Sequence, residues 1–232
     1  MPTQNKLTVP AAIIVAGVLI AGAIFITKGV PSDKTVDTGK TATKAISIRP
    51  VTNEDHILGN PNADIVIVEY SDTECPFCKQ YHKTMQAIMA EYGKDGKVAW
   101  VYRHFPLVQL HSKAPKEAEA LECAGELGGK SVFWDYTNRI YEITPSNNGL
   151  DPAKLVSTAA EFKIDTKAFQ TCLDSGRHAA KVQKDYEDAI AAGGRGTPHT
   201  ILITKRGDKL PLEGAQPLEN VKGVIEGLLK AN

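Results

Sequence analysis

The sequence predicts an α/β sheet domain interrupted by a helical insertion. Three observations predict it. A near-continuous β-branched run, IVIVEY at 65–70, reads as a strand buried on both faces. Helical periodicity dominates the middle of the chain. Strand patterns then return after Gly193-Gly194.

The elements follow in order. After the first strand, Pro76 suits the first turn of a helix. Tyr81, Met85, Ile88, Met89 and Tyr92 keep helical spacing, and Gly93 ends the segment. KVAWVYRHF at 97–105 is a second strand. Helical segments are expected at 114–127 and 133–143, with Trp100 and Trp134 in the core. Asp151-Pro152 reads as a cap followed by Pro at the first helical position, opening a third helix. Two more cover 166–173 and 178–192. Strands at 199–204 and 209–212 flank the turn Arg206-Gly207-Asp208, and a last helix spans 218–231.

The chain has 232 residues, 42% apolar and 23% charged, enough to bury a core without staples. Its 27 basic and 27 acidic side chains cancel, and no basic run appears, so nucleic acid is not an expected partner. No internal repeat is present. Residues 9–27, VPAAIIVAGVLIAGAIFIT, follow a short tail at 1–8 and carry no charge. As a helix they would span about 28 Å, one hydrocarbon core. Two readings stay open. One is a cleaved signal segment with Ala21-Gly22-Ala23 as its processing site. The other is an uncleaved transmembrane anchor, which the apolar length favours. Either places the rest of the chain outside the cytoplasm, in a periplasm or at a cell surface. Residues 28–45, rich in Thr, Lys and Gly, read as a flexible linker with a reach of about 60 Å. The soluble part then divides into a sheet portion at 46–111, the helical insertion at 112–192 and a second sheet portion at 193–232.

Cys75 and Cys78 stand at the first strand-to-helix junction, separated by Pro76 and Phe77. A zinc site needs four ligands, and Cys123 and Cys172 lie 49 residues apart, with no closely spaced histidine pair. A structural disulfide between Cys75 and Cys78 would close too small a loop to constrain the chain much. The redox reading has direct physics. The first cysteine sits at a helix N-terminus, where free N–H groups and the dipole favour a thiolate. The second, one turn in, is placed to resolve a mixed disulfide. Glu69, six residues before Cys75, is either a proton shuttle for Cys78 or an edge-facing carboxylate. Cys123 and Cys172 are expected to pair in an exported domain, the alternative being two buried free thiols. No metal or cofactor is expected. His82 is read as lying on a solvated helix face, and His199, after Pro198, as a neighbour of the cysteines.

From 51 to 229 the chain resembles the DsbA-like branch of the thioredoxin superfamily. The matching features, in order, are HILGNPNADIVIVEYSDTECPFC, YRHFPL at 102–107, FWDY at 133–136 and Gly196-Thr197-Pro198. The resemblance implies a thioredoxin fold with a helical insertion. It implies Cys75 as nucleophile, Cys78 as resolving thiol, Glu69 as buried acid, and a cis Pro198 beside Thr197 facing the redox pair. Pro76 and Phe77 complete the active-site turn. The implied activity is oxidation of dithiols in cysteine-containing exported polypeptides, with a membrane-embedded partner that reoxidises the pair. A reductase or isomerase of the same fold is one alternative. A redox-inactive peptide-binding module is another. Phe77 stands where the strongest oxidants of the family carry histidine, and Thr197 where valine is frequent. Both departures bear on oxidising strength.

Overall fold

A computed structural model describes residues 46–231. The segments expected to form the anchor or signal (9–27) and the linker (28–45) lie outside the described residues. Among the described residues, no helix is long and apolar enough to cross a membrane.

Five strands, β1 (His56–Leu58), β2 (Ile65–Ser71), β3 (Val98–His104), β4 (His199–Thr204) and β5 (Lys209–Glu213), form one sheet. Their spatial order is β1-β3-β2-β4-β5. β2 and β3 are parallel, and the other neighbours are antiparallel. A parallel pair needs a crossover, here supplied by helix α1 (Pro76–Ile88). β1 has only three residues and was not anticipated from the sequence. It pairs with β3 over Tyr102, Val101 and Trp100.

The apolar run of β2 is explained by helices on both sheet faces. Ile65 and Ile67 join one cluster with Tyr81 and Met85 of α1 and Val221 and Ile225 of the C-terminal helix (Leu218–Ala231). Val68 joins the other with Phe105, Ile201 and Ala189, the last from the helix Ala179–Ala191. Strand alternation thus sends residues 65, 67, 69 and 71 toward α1. The chain beyond α1 forms a single π turn, Met89–Gly93, rather than the continuous helix expected to Gly93, and buries both Met89 and Tyr92.

The insertion holds α2 (Ala114–Ile143), α3 (Ala153–Glu161) and α4 (Thr166–Ser175), followed by α5 (Ala179–Ala191). The C-terminal helix is α6. The two segments expected at 114–127 and 133–143 are both present, as two helical runs of α2 separated by a kink at Gly129. Its φ of 86° and ψ of 179° are accessible to glycine and interrupt the helix. α3 starts one step later than expected. Pro152 occupies the cap position, and the Asp151 carboxylate accepts from the Ala153 amide at 3.0 Å. Trp100 and Trp134 are buried, their ring centroids 4.7 Å apart. A disulfide joins Cys123 of α2 to Cys172 of α4, with Cα atoms 5.9 Å apart.

A second fastening lies on the α5 side. Arg103 of β3 is fully buried. Its guanidinium meets Asp55 at 2.8 Å and Asp188 of α5 at 2.6 Å, and donates to the carbonyls of Arg49 (3.1 Å) and Pro50 (3.2 Å). The Arg49 amide reaches Asp188 at 2.6 Å, and its side chain reaches Asp185 at 2.8 Å. Charge pairing and hydrogen bonds together make this burial tolerable.

Candidate active site

Cys75 is the N-cap of α1, with extended backbone (φ −79°, ψ 121°), and Pro76 follows it in the first turn. The extended cap and the missing proline N–H both suit a helix start at this point. The turn before it is closed by a bond from the Cys75 amide to the Asp72 carbonyl at 3.1 Å. Cys75 is 4% exposed and Cys78, one turn in, is inaccessible. The first thiol is therefore a narrow opening rather than a projecting group. Phe77 beside it is 61% exposed.

The Thr197–Pro198 peptide is cis. It brings the Thr197 carbonyl to 3.5 Å from the Cys75 sulfur, which donates to it. The Thr197 hydroxyl is buried without another protein partner and favours the thiolate of Cys75. Pro198 leads directly into β4, so the pair at the end of β2 and the proline at the start of β4 meet across neighbouring strands.

The two thiols are electrostatically unlike. Cys75 is lowered to about 6, first by its hydrogen bond with Cys78, then by the Thr197 side chain and the amides of Cys78 and Phe77, against the opposing effect of burial. Cys78 is pushed well up by burial, and further by Cys75 and the charge of Glu69. The Asp72 amide donates to its sulfur at 3.4 Å. One sulfur is held ready as a thiolate and the other is held protonated.

Glu69 faces the interior and is fully buried, not edge-facing. Burial pushes its carboxyl up to about 7, against hydrogen bonding from Ser71. That places its proton exchange within the working pH range of thiol chemistry.

Residues outside the sequence reading complete the surroundings. The Ser71 hydroxyl donates to Glu69 Oε1 at 2.7 Å and lies 2.8 Å from the Tyr141 hydroxyl. Ser71 stands two residues after Glu69 on the same strand face, so strand alternation was a signal that could have found it. Asp72, also buried, accepts from the Leu107 amide at 2.8 Å and pairs with His111 Nδ1 at 2.9 Å. Glu74, next to the nucleophile, accepts from the amides of Gly149 and Leu150 at 3.3 Å each. Glu117 is raised to about 9 by burial, with Glu74 adding to the rise, and takes the Thr73 hydroxyl at 2.6 Å.

One histidine needs correction. His82 is buried, not solvated. α2 covers that face of α1, so its Nε2 meets Asn138 Oδ1 at 2.7 Å and its ring stacks on Tyr141 at 4.4 Å. Burial lowers it to about 4, so it is neutral at physiological pH. His199 stacks on Tyr70, 5.8 Å between centroids, with Glu213 at 3.4 Å. Tyr70 points to the α5 face, away from the side to which Glu69 points.

Among the described residues, two groups of side chains converge as metal ligands would. In the first, of His104, Glu122 and Asp185, the two carboxylates already hold the Lys181 ammonium, 3.1 Å from Glu122 and 3.4 Å from Asp185, and His104 pairs with Glu122 at 2.8 Å. In the second, with His178, the sulfurs of Cys123 and Cys172 are spent on each other.

Residues 51–226 match the family described as Thioredoxin. Among solved structures, the chain resembles DsbA2 of Pseudomonas aeruginosa, with a TM-score of 0.64 and 25% identity over 78% of this chain and 97% of that one. It also resembles oxidised BdbD of Bacillus subtilis, with a TM-score of 0.69 and 23% identity over 80% of this chain and 98% of that one. A curated relative is the Na(+)/H(+) antiporter NhaA 1 of Salinispora arenicola, 31% identical over 66% of this chain and 22% of that protein. Another is NhaA 1 of Mycolicibacterium gilvum, 33% identical over 68% of this chain and 25% of that protein. The chain thus spans at most a quarter of these two antiporters.

Proposed function

Because the chain belongs to the thioredoxin family, we propose that it is a thiol-disulfide oxidoreductase of DsbA type that introduces disulfides into exported polypeptides. The observation that carries this reading is the divergence of the two thiols, Cys75 lowered to about 6 and Cys78 pushed well up. A low-pKa thiolate is a good leaving group, so a disulfide containing it is readily reduced by substrate.

In the oxidised protein, a substrate thiolate attacks Cys75 Sγ. The Cys75–Cys78 bond breaks, and Cys78 leaves with the electron pair and takes a proton. A second substrate thiolate then attacks the substrate sulfur of the mixed disulfide and releases Cys75 as a thiolate. The substrate loses two electrons and the protein gains them. Exposed Phe77, Val108 and Leu110 offer apolar contacts suited to an unfolded chain. Val108 and Leu110 lie in the loop tied to Asp72 through Leu107 and His111. A membrane-embedded partner would reoxidise the pair, and residues 9–27 would tether the enzyme outside the cytoplasm.

Equilibration with glutathione tests the chemistry. Ready interconversion of the two forms is expected, with a potential above that of thioredoxin. A potential at or below it assigns a reductase, and a pair inert to glutathione assigns a binding module. The tether is tested by carbonate extraction, where full-length protein should stay with membranes. Release of a chain lacking residues 1–23 would assign a cleaved signal.

A further inference from the structure

Apolar exposure is concentrated around the nucleophile. Of the six large apolar side chains exposed among the described residues, three sit here. Phe77 follows Cys75 by two positions, and Val108 and Leu110 stand on the segment between β3 and α2, which forms a lip. Asp72 pins the lip to the active-site turn through the Leu107 amide and His111. Asn148 clasps its far end. The Asn148 amide nitrogen donates to the Leu110 carbonyl at 2.9 Å, and its oxygen accepts from the Lys113 amide at 3.1 Å and the Ser112 hydroxyl at 3.3 Å. Lys113 Nζ adds a bond to the Leu150 carbonyl at 2.7 Å. α2 starts at Lys113 without a side-chain cap of its own, so Asn148 helps to fix that start from another part of the chain.

Asn148 is in turn tied to the residue before the nucleophile. Ser146, Asn147 and Asn148 have φ of 66°, 54° and 64°, three successive left-handed residues without a glycine. Such a run persists only where its surroundings hold it. Glu74 does so: its carbonyl accepts from the Asn147 amide at 2.8 Å, and its carboxylate accepts from the Gly149 and Leu150 amides at 3.3 Å each. Asparagine meets both demands at 148. It tolerates the left-handed region, and its amide carries a donor and an acceptor on one short arm.

The geometry points to Asn148 as a positioning residue for substrate choice: it holds the lip of Val108 and Leu110 against the redox turn, where they receive an apolar side chain beside the substrate cysteine. This rests on the oxidoreductase reading. The lip, Leu107 to Leu110, carries aliphatic groups and no charge, so an unfolded polypeptide with a leucine-sized side chain next to its cysteine is the class that fits. Asn148 touches no reacting atom. The exchange at Cys75 is independent of it, and only the seating of apolar substrates depends on it.

The test compares three reductants of the oxidised full-length protein. They are dithiothreitol, an unstructured peptide with two cysteines and a leucine beside the first, and the same peptide with serine in place of that leucine. At limiting concentration, wild type should react faster with the leucine peptide than with the serine one. Asn148→Gly keeps the left-handed backbone accessible and removes the clasp. It should slow the leucine peptide roughly tenfold, the scale of a lost net hydrogen bond. The serine peptide, dithiothreitol and the Cys75 thiolate titration should be unchanged. Saturating leucine peptide should restore the wild-type rate, placing the loss in half-saturation. Asn148→Asp keeps an acceptor for Lys113, loses the donor to Leu110, and should fall between. Added to Leu110→Ser, Asn148→Gly should cost nothing more. An unchanged leucine rate, an equal loss on all three reductants, an additive loss in the double variant, or a wild type indifferent to leucine overturns the proposal. Should Asn148→Gly not fold, an Asn148→Asp variant that keeps the full preference overturns it. Failure of wild type to oxidise any of the three would instead remove the oxidoreductase reading.

Discussion

The sulfur of Cys75 lies 3.5 Å from the carbonyl oxygen of Thr197, a residue 122 positions further along the chain. The reactive thiol thus belongs to both portions of the sheet, separated in sequence by the whole helical insertion.

Reduced protein should titrate a thiolate near pH 6, followed by ultraviolet absorbance. Limiting alkylating reagent should label Cys75 first. Cys78→Ala should raise the Cys75 pKa, because the Cys78 hydrogen bond contributes most to lowering it. Equal or faster labelling of Cys78 would reverse the assignment of nucleophile.

Glu69 makes stability depend on pH. Its folded pKa is raised from 4.5 to about 7, so between those values the native state keeps a proton that the unfolded chain has released. Stability from this group is present at low pH and is lost as pH rises through about 7. Glu69→Gln should remove that loss and stabilise reduced protein by about 3 kcal/mol at pH 8 relative to pH 4. Denaturant midpoints of both proteins at the two pH values measure it. A parallel pH response in the variant would count against a neutral buried acid.

The Cys123–Cys172 bond closes a span of 49 residues. Replacing both by Ala should cost about 4 kcal/mol in the chain-entropy model, read as a lower melting temperature. Redox cycling of Cys75–Cys78 should persist. Mild reduction followed by mapping should find the inner disulfide intact, since both of its cysteines are buried. Free thiols at both positions in protein purified without reductant would contradict the pairing.

Phe77 is exposed beside the thiol and carries no charge. Phe77→His should lower the Cys75 pKa and raise the reduction potential together, each tenfold change in exchange equilibrium being about 30 mV. Glutathione equilibration and thiolate titration of the same variant check both. Movement of one quantity without the other would separate potential from thiolate stability at this site.

The legible features were those with local causes. The β-branched run of β2, Pro76 at a helix start and the glycines before Pro198 each act through their own backbone. β1 was hidden because three residues carry no period, and its strand character comes from pairing with β3. His82 looked solvated because its neighbours on α1 are polar, whereas its burial is imposed by Asn138 and Tyr141 of α2. Ser71 could have been found from its spacing to Glu69, but Tyr141 could not, being 70 residues away on another element. The acids at 72, 74 and 117 carry no local signal; Asp72 and Glu74 are engaged by the distant amides of Leu107, Gly149 and Leu150, and Glu117 by the Thr73 hydroxyl.

The Arg103 fastening has a mechanical consequence. A pull on the chain ahead of residue 49, once past the packing of Ile46 and Ile48, is met by Asp188 and Asp185 of α5 and by the buried guanidinium of β3. That load enters on the sheet face opposite α1 and is spread over three charged partners. The cysteine pair, on the other face, is strain-relieved in the manner of a cable clamped before its terminal. A domain towed from its amino end would keep its thiol geometry while its anchorage took the force.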